Sequence, residues 1–174
     1  AWVRREIEST YQDVSISIGG VSLVQCGTAM ATSEGFGSLA IAWGANSTAT
    51  ATGLFSMAIV DGDDGSATAD GNFNKARVNG DDSTATAAEG WFNTARAYGD
   101  ESAAIASAGN FNLARVRGYD NIVNVTNGNA SSVRINGDGN DALSSGNRNS
   151  ATVYGNNNSV SLASESDSTA YIQL

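Results

Sequence analysis

From Gly35 to Gly155 a glycine recurs every nine residues, occasionally ten. A chain that turns one corner per repeat needs such a residue at each corner, and no ordinary globule keeps that interval. Read from each glycine, successive units run GNFNKARVN at 71, GDDSTATAAE at 80, GWFNTARAY at 90 and GDESAAIASA at 99. With one exception the fourth residue is Ser or Asn. The sixth is Ala or Val, the eighth is almost always Ala, Val, Ile or Leu, and the fifth and seventh vary freely. Such period-two alternation behind a glycine turn describes a strand followed by a corner.

Alternate units resemble each other more than neighbours do: one set reads G-x-F-N-x-A-R, the other G-D-D-S-T-A-T. The coil is therefore two units long. The sequence predicts an all-β chain, a two-faced parallel β-solenoid of about seven coils of 18–19 residues, stacked about 4.8 Å apart. Residues 35–174 form this repeat domain and residues 1–34 an N-terminal extension. In the extension, Val3, Ile7, Tyr11 and Val14 fall at helical spacing and predict a short amphipathic helix. The apolar VSISIGGVSLVQCGTAMA behind it alternates like strands and serves as a cap or an assembly segment.

Composition narrows the functions open to such a rod. With 20 glycines, no proline, no histidine and a surplus of Ala, Ser, Thr and Asn, the core must be thin and repetitive. A net charge of −9 argues against nucleic acid, whose phosphates require a basic footprint. No stretch is apolar enough to span a bilayer. Cys26 is alone, which rules out an intrachain disulfide and leaves only a crosslink between chains. Without histidine the usual general base is missing, and no insertion longer than one residue exists to build a groove, so the chain is not expected to be an enzyme. Its first residue is Ala rather than Met, as in a mature protein whose signal peptide has been removed, so the expected location is extracellular or at the cell surface.

The repeats place like residues in ladders. Ser56, Asn74, Asn93 and Asn112 point inward and are expected to bond one another, as buried polar groups must find partners. Phe55, Phe73, Phe92 and Phe111 form an aromatic column at one corner, read as a corner plug, with a carbohydrate-binding stripe as the alternative. Arg77, Arg96, Arg115 and Arg134 face outward. On the following corner sit Asp63, Asp64, Asp81, Asp82, Asp100, Glu101, Asp120 and Asp138, with Asp141 just beyond. Stacked like charges repel. Crossed salt bridges between the two rows are the first expectation, with calcium on the acids and pairing with a second subunit as the others. Calcium is thus the one candidate cofactor. The other face carries Thr48, Thr50, Ser66, Thr68, Thr84 and Thr86, rungs of the kind a flat ice-binding face would use, although Thr favours any exposed strand. Asn46, Asn124, Asn129 and Asn157 stand in N-x-S/T sequons, candidate glycosylation sites.

The units GNFNKARV, GNFNLARV, GNRNSATV and GNNNSVSL resemble the curlin repeat of bacterial amyloid fibres. That resemblance implies β-solenoid subunits stacked end to end. GSLAIAWGANSTATATG also looks like the head of trimeric autotransporter adhesins, and NGDGNDAL at 136–143 is similar to the calcium-binding nonapeptide of secreted toxins. The expectation is a secreted, non-enzymatic structural subunit that polymerises with copies of itself into a fibre, sheath or surface coat. The alternative is a binding module, an adhesin head or ice binder, that uses one flat face on carbohydrate or a cell surface.

Overall fold

A computed structural model describes residues 13–164 and 167–173 of the chain. Within them the strands run, in chain order, β1 (Ala31–Glu34), β2 (Ala49–Gly53), β3 (Ala58–Ile59), β4 (Ser66–Gly71), β5 (Ala76–Asn79), β6 (Thr84–Ala88), β7 (Thr94–Tyr98) and β8 (Ala103–Ser107). They continue with β9 (Leu113–Arg117), β10 (Ile122–Gly128), β11 (Ser131–Asn136), β12 (Asp141–Gly146), β13 (Asn149–Tyr154), β14 (Ser159–Ser164) and β15 (Ser168–Gln173). The even-numbered strands stack behind β1 in one parallel sheet, and the odd-numbered strands from β3 to β15 stack in the other. The chain is a two-faced β-solenoid of about seven turns.

Register follows the repeat. Ala76 stands beside Ala95, Ala95 beside Ala114, and Ala114 beside Val133. A one-residue slip would move every inward residue to the outer face, so the alternation fixes the pairing. The interior is built almost wholly of Ala and Val; Ile135 is the largest fully buried side chain. Such small residues bury little apolar area per coil. Stability therefore rests heavily on continuous backbone pairing and on the polar corners.

Two features of the N-terminal region bear on the sequence reading. The helix expected over residues 1–14 falls mainly on residues 1–12, outside the described residues, and no described residue is helical. β1 lies before Gly35, yet pairs in register with β2, Ala31 beside Ala49. Ahead of it, residues 13–30 form no regular strand. Asp13, Ser15 and Ser17 are nevertheless buried, and the two serine hydroxyls donate to the carbonyls of Met30 and Thr32. Those hydroxyls occupy carbonyls at the first edge that no strand pairs.

Candidate functional site

Each coil has two corners, and each corner has its own polar ladder. At the first corner the amide of Asn74 donates to the carbonyls of Ala69 and Ala88. Asn93 donates likewise to Ala87 and Ser107, and Asn112 to Thr126. The asparagines expected to bond one another instead bond backbone. The accepting carbonyls lie in the corner-facing parts of β4, β6, β8 and β10, and the carboxamide NH2 of Asn74 and of Asn93 reaches two of them. At the second corner the side-chain oxygen takes over. Oδ1 of Asn121 accepts from the Ser102 amide at 2.6 Å, Oδ1 of Asn140 from Asn121 at 2.9 Å, and Oδ1 of Asn158 from Asn140 at 2.9 Å. There one ladder amide meets another, Asn140 Nδ2 bonding Asn158 Oδ1 at 2.9 Å.

Close stacking at the first corner explains its glycines. A Cβ on Gly90 would lie 1.6 Å from the Gly71 carbonyl oxygen and 2.0 Å from Asn74 Oδ1. Three alternate units, one in each of three successive coils, are ten residues long, and their extra residues, Glu89, Ala108 and Asn127, take positive φ of 55°, 54° and 58°. With Asn72, Trp91, Asn110 and Asn129 they line an open recess of about 490 Å³.

Beside that recess runs the aromatic column. Phe55, Phe73, Phe92 and Phe111 stack with centroids 5.4–5.6 Å apart and planes within 11° of parallel. Phe36 closes the column edge-on at 5.5 Å. The rings are not plugs. Each of the four is 42–56 % exposed, because the corner turns them away from the thin interior of Ala and Val.

The outer face of the odd-numbered sheet carries the arginines in one straight column, Arg77, Arg96, Arg115 and Arg134, with Ile59 and Thr152 at its ends. The crossed salt bridges expected between them and the acids do not form: among the described residues no arginine is ion-paired. Arg77 lies over the Tyr98 ring, 5.4 Å from its centroid, and Arg96 Nε has no partner.

The acids bond the backbone of their own corner. Oδ1 of Asp81 accepts from the Asp100 amide at 2.9 Å, Oδ1 of Asp100 from Tyr119 at 2.9 Å, and Oδ1 of Asp138 from Asn156 at 2.7 Å. One aspartate thus tethers the same corner one coil on, a charge-assisted bond that offsets part of the repulsion along the row. Their neighbours Asp82, Glu101 and Asp120 sit at φ of 52–53° and are exposed. Asp64 accepts from Asn46 Nδ2 at 2.6 Å, while the exposed Asp63 and Asp141 make no side-chain bond. Among the described residues no three carboxylates converge as calcium would require.

The threonine face is regular but brief. Thr50, Thr68 and Thr86 align in one column and Ser66 with Thr84 in the next, with Thr48 ahead of them, all half-buried; the columns continue as Ile105 and Ala103. Of the sequon asparagines, Asn46, Asn129 and Asn157 are exposed at corners. Asn124 lies half-buried in β10 with Oδ1 unbonded. The aspartate tethers and the positive-φ insertions are the features sequence reasoning missed. The ten-residue units were the signal for the insertions; nothing in the pattern distinguished a tethering aspartate from its neighbour.

No protein-family model, no curated protein and no solved structure matches the chain significantly.

Proposed function

We infer that the chain is a non-enzymatic structural subunit that works outside the cell and assembles with copies of itself, coil upon coil, into a fibre, sheath or surface coat. The observation that carries this reading is the unbroken parallel register of the coils, a stack that another copy can continue. Ala151 and Val153 of β13 are buried, whereas their stacked counterparts in β15 are exposed, Ile172 to 50 %. β14 and β15 are the outermost described strands of their sheets, and a further coil stacked in the same register would cover the exposed Ile172. The resemblance of the Asn-bearing units to curlin repeats supports the same reading. Substituting Ile172→Asp tests it. Filaments of the full chain should disappear while the circular dichroism of the subunit persists; filaments that form as before would refute it.

The exposed aromatic column favours a second reading, a surface-binding module. Four parallel rings beside an amide-lined recess suit a saccharide, whose C–H faces stack on rings while its hydroxyls bond amides. Under this reading the chain stays dispersed and binds immobilised glycans, and Phe92→Ala abolishes that binding.

A further inference from the structure

The cations of this acidic chain are not scattered. Of the seven cationic side chains among the described residues, Lys75, Arg77, Arg96, Arg115, Arg117 and Arg134 all point out from the odd-numbered sheet; Arg148 alone lies at a corner. None of the six has an ion-pair partner, and four are stacked at the coil spacing of about 4.8 Å. Arg115, Arg117 and Arg134 line a recess of about 240 Å³ between Tyr98 and Tyr154. The chain keeps an unpaired basic column within four residues of an acidic corner, as Arg77 stands to Asp81, and lets neither neutralise the other.

Spacing decides what fits such a column. Phosphates along one strand of a duplex repeat at about 3.4 Å. Same-face residues of an extended peptide repeat at about 6.6–6.8 Å. A second copy of this rod repeats its acids at the same pitch as the arginines, once per coil. We propose that the arginine face docks against the acidic corner of a second copy, the two rods lying antiparallel about a two-fold axis. Because face and corner adjoin along one edge of the rod, that axis brings both together twice: each copy's arginines meet the other's Asp82, Glu101 and Asp120. Those three carboxylates are exposed and make no bond of their own, so docking breaks nothing in the fold. The contact deepens the self-assembly reading by adding a sideways interface, separate from the coil-on-coil contact.

Charge swapping tests the interface on the full chain by sedimentation velocity, with Ile172→Asp in every variant to suppress end stacking. The parent should be a dimer at low salt and dissociate near 1 M salt, where screening reaches about 3 Å. Reversing the face (Arg96→Glu, Arg115→Glu, Arg134→Glu) should raise the dimer Kd at least about 100-fold, and reversing the corner (Asp82→Lys, Glu101→Lys, Asp120→Lys) should do the same. Mixing the two reversed chains should restore a dimer, since each then complements the other at both contacts. That rescue cannot come from misfolded protein. A parent that is monomeric at low salt, a dimer indifferent to reversal, or a mixture that stays monomeric overturns the proposal. So does a parent that remains monomeric and binds only an added polyanion such as heparin. Whether the chain without Ile172→Asp forms filaments is scored separately, so failure of the sideways contact and failure of end stacking are told apart.

Discussion

The side-chain amide of Asn93 donates to the main-chain carbonyl of Ser107, one coil further along the rod, while also reaching Ala87 in its own coil. One side chain thus clamps the ends of β6 and β8 where the sheet meets its corner. Substituting Asn93→Leu should remove both bonds from a buried corner, costing about 1–3 kcal/mol. Urea unfolding reads it directly. A loss under about 0.5 kcal/mol would mean the corner holds without its amide.

Glycines of the corners separate into two kinds. Gly90→Ala places a methyl 1.6 Å from a backbone oxygen, so coils must part, and the subunit should lose more than about 3 kcal/mol. Around Gly37 and Gly44 a Cβ would meet nothing within 4 Å, and neither has positive φ. Alanine there should change stability by no more than about 0.5 kcal/mol. Thermal melts of the three variants make the comparison.

The aromatic column is half in solvent, so its removal should be mild. Phe92→Ala should cost about 0.5–1.5 kcal/mol from lost ring stacking. Ile135→Ala, in the closed interior, should cost about 2–5 kcal/mol. If the two costs were reversed, the rings would be the core and the interior would not.

Adjacent acids at one corner should behave differently. Asp100→Ala removes an acceptor from the Tyr119 amide and should destabilise by about 1–2 kcal/mol. Glu101→Ala removes only an exposed charge from a crowded row and should be neutral or slightly stabilising. Equal losses at both positions would show that the tether carries no weight.

The contrast between Ala76 and Phe73 shows what the sequence could and could not convey. Alternation with small residues at positions six and eight has one geometric solution, two parallel faces around a thin interior, and that much was legible. The same periodicity lists Phe73 as a ladder residue without saying whether it turns in or out. Its direction depends on how tightly the corner closes, which the Asn74 bonds to Ala69 and Ala88 determine. Arg77 and Asp81 looked like partners because they are four residues apart, but one lies on a strand face and the other folds along its corner toward the next coil. Spacing within a coil is a poor guide to contacts when the nearest neighbour is a whole coil away.

In the proposed assembly the rods join end to end. Electron microscopy of the purified full chain at micromolar concentration, with fibre diffraction of aligned material, tests it most directly. Long uniform filaments with a strong axial reflection near 4.8 Å are expected, since each added subunit continues the same strand stack. Dispersed single rods at every concentration, with no axial reflection, would contradict it.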